Sequence, residues 1–143
     1  MRRIGGCWFL LVLAACAPPE VGPAIDAGPP GAETTFTSIS QRIFTPRCAT
    51  SYCHAGNPPP FAPMSLEAGQ AYASLVGAFS KEAPSLQRVA PGRPDQSYLM
   101  YKLHGTAGNV AGLATRMPLG KEPLTEAELA DIEAWIVGGA KND

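Results

Sequence analysis

The stretch TEAELADIEAWIVGG, residues 125–139, gives the clearest structural signal in the chain. Thr125 and Glu128 have the spacing of a capping box, in which each side chain accepts a hydrogen bond from the other residue's backbone N–H. The apolar residues behind this cap recur every three or four positions: Leu129, Ile132, Trp135 and Ile136. Because that period matches one face of a helix, and Gly138-Gly139 supplies a stop, the stretch predicts an amphipathic helix that buries one side.

Two weaker helical patterns lie nearer the N-terminus. The first, FTSISQRIF, starts at residue 36, and Pro46 is predicted to end it. Ser65 is predicted to cap a second helix through LEAGQAYASLVGAF, residues 66–79. The side chains expected to be buried are Phe36, Ile39, Ile43 and Phe44 in the first helix and Tyr72, Leu75, Val76 and Phe79 in the second.

A third pattern, QSYLMYKLHG, follows Asp95, which is predicted to cap it, and ends at Gly105. Its apolar residues Leu99, Met100 and Leu103 have helical spacing. No stretch alternates with a period of two for long enough to indicate a sheet. The joining segments, 45–64 and 105–123, are long and rich in Pro and Gly, which is uncommon in a compact domain unless the loops have a function. The fold class is therefore predicted to be all-α, with about four short helices and long loops that wrap an internal object.

Length and composition limit the possible functions. The chain has 143 residues, of which 15 are Gly and 15 are Pro, and its formal net charge is −1. This length fits one ordinary domain and excludes a multidomain enzyme. Without Arg2 and Arg3, 9 basic side chains face 12 acidic ones, a balance of −3. A nucleic-acid partner is not expected, because such proteins carry a basic face that follows the phosphates.

The N-terminus carries an export signal. Arg2 and Arg3 precede an apolar run that is too short to span a bilayer permanently. Residues 13–16, Leu-Ala-Ala-Cys, resemble the bacterial lipobox, which predicts a signal peptide at residues 1–15 and a lipidated Cys16. The alternative is a soluble secreted protein with Cys16 near its cleavage site by chance. Ala17 is not the Asp that signals inner-membrane retention, which favours the outer membrane.

Residues 16–35 are predicted to be a tether between the lipid and a folded domain at 36–143. From residue 17 onward the tether holds five Pro, three Gly and three acidic residues, with no apolar periodicity. Such a composition does not bury enough apolar surface to offset the entropy of ordering. The protein is therefore expected to be held at the cell envelope, facing the periplasm or the exterior.

The residues that carry chemistry are concentrated in CATSYCH, where Cys48 and Cys53 bound a short loop and His54 follows directly. Covalent haem attachment needs this combination, because two thiols bond the porphyrin while the adjacent imidazole binds the iron. The segment resembles the haem-attachment motif of the cytochrome c family. It has four residues between the cysteines where the family has two, so either the loop bulges or only Cys53 is bonded.

The resemblance covers residues 36–143 and includes a helix before the motif and a helix at the C-terminus. RVAPGRPDQSYLMYKL and the MPLG segment before the last helix look like single-haem domains of exported bacterial proteins, often lipoproteins. The family implies a small fold around one covalent haem c, with His54 and Met117 as axial ligands and His104 as substitute for Met117. Arg116 either pairs with a haem propionate or faces solvent. The implied function is electron transfer between redox proteins of the envelope, not enzymatic catalysis.

Two other interpretations of the same residues stay open. Cys48 and Cys53 could form a disulfide in a cofactor-free envelope lipoprotein with a binding role. A zinc site could use Cys48, Cys53, His54 and His104, although the spacing lacks a second paired motif. Met64 and Met100 are predicted to fill the core and not to bind metal.

Overall fold

The computed structural model describes residues 34–56, 58 and 62–143. The predicted signal peptide, the lipidation site at Cys16 and residues 17–33 of the predicted tether lie outside the described residues. Within the described part of the chain, no helix is both long enough and apolar enough to cross a membrane.

The C-terminal helix agrees with the prediction over its whole length. This helix, α4, spans Glu126–Val137, and its capping box between Thr125 and Glu128 is complete in both directions. Its four predicted apolar residues are all buried. Gly138 and Gly139 follow the helix end, which confirms the predicted stop.

The first helix is longer than predicted. Helix α1 spans Phe36–Ile39, with the Thr35 side chain accepting a hydrogen bond from the backbone N–H of Ser38. It continues directly as a π-helical segment, Ser40–Cys48, which contains Pro46. The prediction that Pro46 ends the helix is wrong, because the wider π turn relieves the clash between a proline ring and the carbonyl four residues earlier. The helix therefore runs up to Cys48.

The second helix is much shorter than predicted. Helix α2 spans only Ala71–Leu75, and Val76 after it is extended. Gly77 then adopts a φ of +73°, a left-handed conformation that breaks the helical path. Ser65 does not cap α2, since its hydroxyl bonds the backbone N–H of Glu67 in the preceding turn. Phe79, predicted to be buried, lies beyond the break and is 61% exposed.

The third helix, α3, spans Tyr98–His104 and ends at Gly105, which has the left-handed conformation expected of a glycine cap. Asp95 was the predicted N-cap, and that prediction is wrong. Asp95 lies within a separate 3₁₀ turn, Pro94–Gln96, and helix α3 begins after Ser97. A second 3₁₀ turn, Ala107–Val110, follows the helix.

Helices α1 and α4 run in opposite directions and form the centre of the fold. The ring of Phe36 lies 5.4 Å from that of Trp135, centroid to centroid. Further along, the Arg42 guanidinium lies 3.0 Å from the Asp131 carboxylate. The main core around this pair is apolar, and its largest fully buried side chains include Phe44, Ile39, Ile43, Leu75, Ile132 and Ile136.

Within residues 34–56, 58 and 62–143, extended pairing is limited to isolated bridges such as Val76 with Val89. The all-α fold class is confirmed at this level. A second, smaller cluster of buried residues, Ala83, Tyr98 and Ala107, lies apart from the main core. The chain between α3 and α4 connects the two clusters, because Met117 in it packs on the main core while Val110 packs on the smaller one.

Candidate functional site

The segment from Cys48 to His54 forms a closed bulge at the end of the π-helical segment. The backbone N–H of His54 donates to the carbonyl of Cys48 at 3.3 Å, and that of Cys53 donates to Thr50 at 2.9 Å. Tyr52 has a φ of +68° and a side chain that is 91% exposed. The middle of the insertion, Ser51 and Tyr52, is therefore accommodated outward, and the backbones of Cys48 and His54 stay in contact.

Both cysteines in this bulge are free thiols and are partly buried. Cys48 packs against the main core. Burial raises the pKa of its thiol to about 11, against the opposing effect of the positive charges of Arg47 and Lys121. A thiol with this pKa is neutral at pH 7.

His54 is held in one orientation by a backbone carbonyl. Its Nδ1 lies 3.3 Å from the carbonyl oxygen of Met64, and its own carbonyl accepts a hydrogen bond from Leu66 at 2.8 Å. A carbonyl oxygen only accepts, so Nδ1 carries the proton and Nε2 keeps its lone pair. Burial lowers the pKa of His54, and the charge of Arg88 lowers it further, although the Met64 hydrogen bond opposes both. A neutral imidazole with one nitrogen fixed by a carbonyl is the usual form of a metal-ligating histidine.

Met117 lies on the chain between α3 and α4, half-buried against the same core that Cys48 contacts. Its backbone N–H donates to the carbonyl of Lys102 at 2.9 Å. Arg116 is exposed, and its side-chain carbons lie along Gly105 at the end of α3. Cys48 and Met117, far apart in sequence, thus both pack against the main core.

The chain between α3 and α4, residues 105–125, is called the Met117 loop below. Arg47 joins the cysteine bulge to the end of this loop. Its Nη2 donates to the carbonyls of Glu122 and Pro123, each at 2.9 Å. Its Nη1 lies 2.7 Å from the carboxylate of Glu128, in the capping box of α4. Burial raises the pKa of Glu128, but hydrogen bonds from the Thr125 backbone and from Arg47 outweigh it, so the pKa is lowered. The guanidinium of Arg47, the residue directly before Cys48, therefore connects the cysteine bulge with the Met117 loop and with α4.

The remaining predicted candidates occupy other places. His104 is exposed at the end of α3, and Met100 is buried in the main core, as predicted. Met64 packs against that core, and its carbonyl orients His54. Sequence reasoning missed this carbonyl and the role of Arg47. The position of Arg47 directly before Cys48 was the available signal, but its partners are 75 or more residues away along the chain.

A metal ion and a haem place different demands on these side chains. Among the described residues, no three His, Cys, Asp or Glu side chains converge to hold a metal ion. The four side chains of the zinc alternative, Cys48, Cys53, His54 and His104, do not form such a group. A haem needs only one imidazole, one further ligand and neighbouring thiols. The chain supplies these donor types: His54, the two free thiols of the same bulge, and Met117, which like Cys48 packs against the main core.

Comparisons with protein-family models, with curated proteins and with solved structures gave no match for this chain. Its function therefore has to be inferred from its own residues and contacts.

Proposed function

We propose that the protein is a membrane-tethered, single-haem cytochrome c-like electron carrier. The observation that supports this most is the state of His54. It directly follows a closed bulge bounded by two free thiols, and its Nδ1 is engaged by the Met64 carbonyl so that Nε2 is available. Cys48 and Cys53 would bond the haem, and His54 would bind its iron.

Met117 is the proposed second axial ligand. Its side chain packs against the same core as Cys48, and the final helix follows a few residues later. His104 is the substitute ligand, but it lies at the exposed end of α3. Thioether ligation together with imidazole favours ferrous iron and raises the reduction potential relative to two imidazoles.

Haem, when bound, supplies a one-electron couple between ferric and ferrous iron. The chain's own residues would attach it, exclude water from it and keep both axial positions filled. With His54 and Met117 in place no position is free for a substrate, which favours electron transfer over catalysis. The electron would come from one redox protein of the envelope and pass to another.

The proposed location depends on the N-terminal residues. The signal peptide at residues 1–15 and lipidated Cys16 would place the haem domain at the bacterial envelope, with the outer membrane favoured. Cys16→Ser should abolish acylation and release or stall the protein, because a diacylglyceryl group plus an amide-linked chain is a strong anchor. Unchanged membrane fractionation of that variant would refute the anchor.

The electron-carrier proposal is tested by expressing the full chain in a bacterial host that has the cytochrome c maturation machinery. A haem-stained band that survives denaturing electrophoresis is expected, because covalent haem stays with the polypeptide. If both thiols are bonded, Cys48→Ala and Cys53→Ala should each reduce haem retention; if Cys48 is spare, only Cys53→Ala should. Mapping of haem-bearing tryptic peptides distinguishes these two cases.

A colourless protein from that host would contradict the proposal. A Cys48–Cys53 disulfide in the colourless protein would then support the cofactor-free envelope lipoprotein. Since both cysteines are free thiols in this structure, an alkylation assay on the purified protein separates the disulfide from the unbonded pair.

A further inference from the structure

A charged side chain is buried on the apolar side of α3. The side chain of Lys102 is only 9% exposed. Its ammonium donates to the Glu82 carboxylate at 3.2 Å and to the backbone carbonyl of Leu113 at 3.1 Å. Its own backbone carbonyl accepts the N–H of Met117 at 2.9 Å. One residue therefore contacts the Met117 loop at two points, Leu113 and Met117.

The ammonium can be buried because its charge is balanced. The same Glu82 oxygen accepts a short hydrogen bond from the hydroxyl of Tyr98, which is itself buried. Burial raises the pKa of Glu82, but the hydrogen bonds from Tyr98 and Lys102 outweigh it, so the pKa is lowered and the carboxylate stays charged at pH 7. A buried charge is tolerated only when it is paired and hydrogen-bonded. Both conditions are met here.

The buried face of α3 does not itself require a charged residue at position 102. An apolar residue at position 102 would match the buried face of α3 without any desolvation, whereas the ammonium reaches across to the loop. Between its two contact points the side chains of residues 114–116 are exposed. No hydrogen bond to those three side chains is found among the described residues. Lys102 holds the loop on both sides of them, and the Leu113 backbone also interacts with Glu82 and Tyr98. Farther along, Lys121 donates to the carbonyl of Arg47 at 3.4 Å, and Arg47 donates to the carbonyls of residues 122 and 123.

We infer that Lys102 is a positioning residue for Met117. Its ammonium, fixed by Glu82, holds the Leu113 carbonyl, and its carbonyl holds the Met117 N–H, so that the thioether is presented at one place on the core surface. This inference rests on the proposed function for its consequence at the iron. The fixing of the loop itself does not depend on haem.

The test compares two variants of the full-length haem protein. The double substitution Glu82→Gln with Lys102→Met removes both charges together, so that no unpaired charge is left buried and the fold is kept. It also removes the contact with Leu113. The matched control is Tyr101→Phe, which removes a hydrogen bond of α3, from the Tyr101 hydroxyl to the Asp95 carbonyl, but leaves Glu82, Lys102 and their contacts with the loop in place. Circular dichroism confirms that each variant is folded.

The first readout is independent of haem: the rate of tryptic cleavage after Arg116, in the exposed part of the loop. Losing a charge-assisted hydrogen bond should increase this rate about tenfold in the double variant, and Tyr101→Phe should leave it within about twofold. The second readout is the weak far-red band of sulfur bound to ferric haem, together with the reduction potential. The double variant should lose intensity in that band and have a lower potential, and Tyr101→Phe should keep both.

The outcomes separate the two claims. If the unmodified protein lacks the far-red band, Met117 ligation is wrong, whereas faster cleavage of the double variant would still support the role of Lys102 in the loop. If the unmodified protein has the band but the double variant keeps it, with unchanged potential and cleavage rate, the positioning role of Lys102 is overturned and the proposed function stands. Equal changes in Tyr101→Phe and in the double variant would also overturn it, because general destabilisation would then explain both.

Discussion

The two sides of this small protein are held by different kinds of interaction. On one side, α1 with its π-helical continuation packs on α4 through aromatic and aliphatic side chains, with Phe36 against Trp135 and four isoleucines that are fully buried. On the other side, the Met117 loop is held by a few polar contacts from Lys102 and Arg47. Apolar burial contributes stability roughly in proportion to area, whereas a small number of hydrogen bonds contributes geometry. The contacts that stabilise the fold are therefore different from those that place Met117, the proposed iron ligand.

The largest effect on stability should come from the helix pair. Trp135 is 3% exposed, and its indole N–H donates to the carbonyl of Lys141 at 2.8 Å. Trp135→Ala should lower the free energy of unfolding by about 3–5 kcal/mol, since a large cavity and an orphaned carbonyl remain. Val137→Ala, on an exposed position of the same helix, should change it by less than about 0.5 kcal/mol. Chemical denaturation measures both, and equal losses would show that the helix pair is not the stabilising side.

An intermediate effect is expected where the loop meets Tyr98. A Cβ added at Gly112 would lie 2.6 Å from Cε2 of Tyr98, whose hydroxyl is bonded to Glu82 and cannot easily shift. Gly112→Ala should therefore cost about 1–3 kcal/mol and displace the loop. Gly108→Ala is the control, because its Cβ would meet Ala114 at an ordinary 3.4 Å. A Gly112→Ala protein as stable as Gly108→Ala would mean that the ring of Tyr98 is free to move.

A smaller effect should appear as a pH dependence. The pKa of Glu82 in the folded protein is lower than its ordinary value of 4.5, so its contribution is present above pH 4.5 and is lost as the pH falls through the folded-state pKa. The double substitution Glu82→Gln with Lys102→Met, which leaves no unpaired buried charge, should reduce stability at pH 7 by about 1 kcal/mol and flatten the acid side of the stability curve. Denaturation midpoints between pH 3 and pH 7 measure this. An unchanged acid slope in the double variant would show that the loop side is not held through this carboxylate.

The smallest effect on stability is expected from the proposed ligand itself. Met117→Ala in the haem protein should change the unfolding free energy little, because the side chain is only partly buried. It should nevertheless remove the far-red band and lower the reduction potential, since water or His104 would take the place of the thioether. His104→Ala should keep both properties. If Met117→Ala keeps them and His104→Ala loses coordination, the ligand assignment is wrong and the cytochrome proposal survives.

The parts of the fold that depend on local sequence signals could be predicted, and those that depend on unusual backbone conformations could not. The capping box at Thr125 and the apolar period behind it are local signals, and α4 follows them from start to end. The end of the first helix could not be predicted, because Pro46 is tolerated only in a π turn. The second helix was overestimated because the left-handed Gly77 breaks a pattern that would otherwise continue to Phe79.

For the candidate site, the sequence identified the residues with distinctive chemistry but not those that place them. Cys48, Cys53 and His54 lie within seven residues of one another, so their spacing alone indicated a candidate site. The Met64 carbonyl, the Arg47 guanidinium and the Lys102 ammonium act across turns or long separations. Lys102, a charged residue next to Leu103 on the apolar side of α3, was a sequence signal that could have indicated a buried polar contact.

The central claim is that Cys48 and Cys53 attach a haem, and an intact mass under denaturing conditions tests it most directly. The purified protein from a host that makes cytochromes c is expected to have the mass of the mature chain with its acyl groups plus one haem. Haem that was held only by coordination would be lost in the denaturant, so its persistence reports the covalent bond. A mass without haem, whether the cysteines are free or joined in a disulfide, would contradict the account.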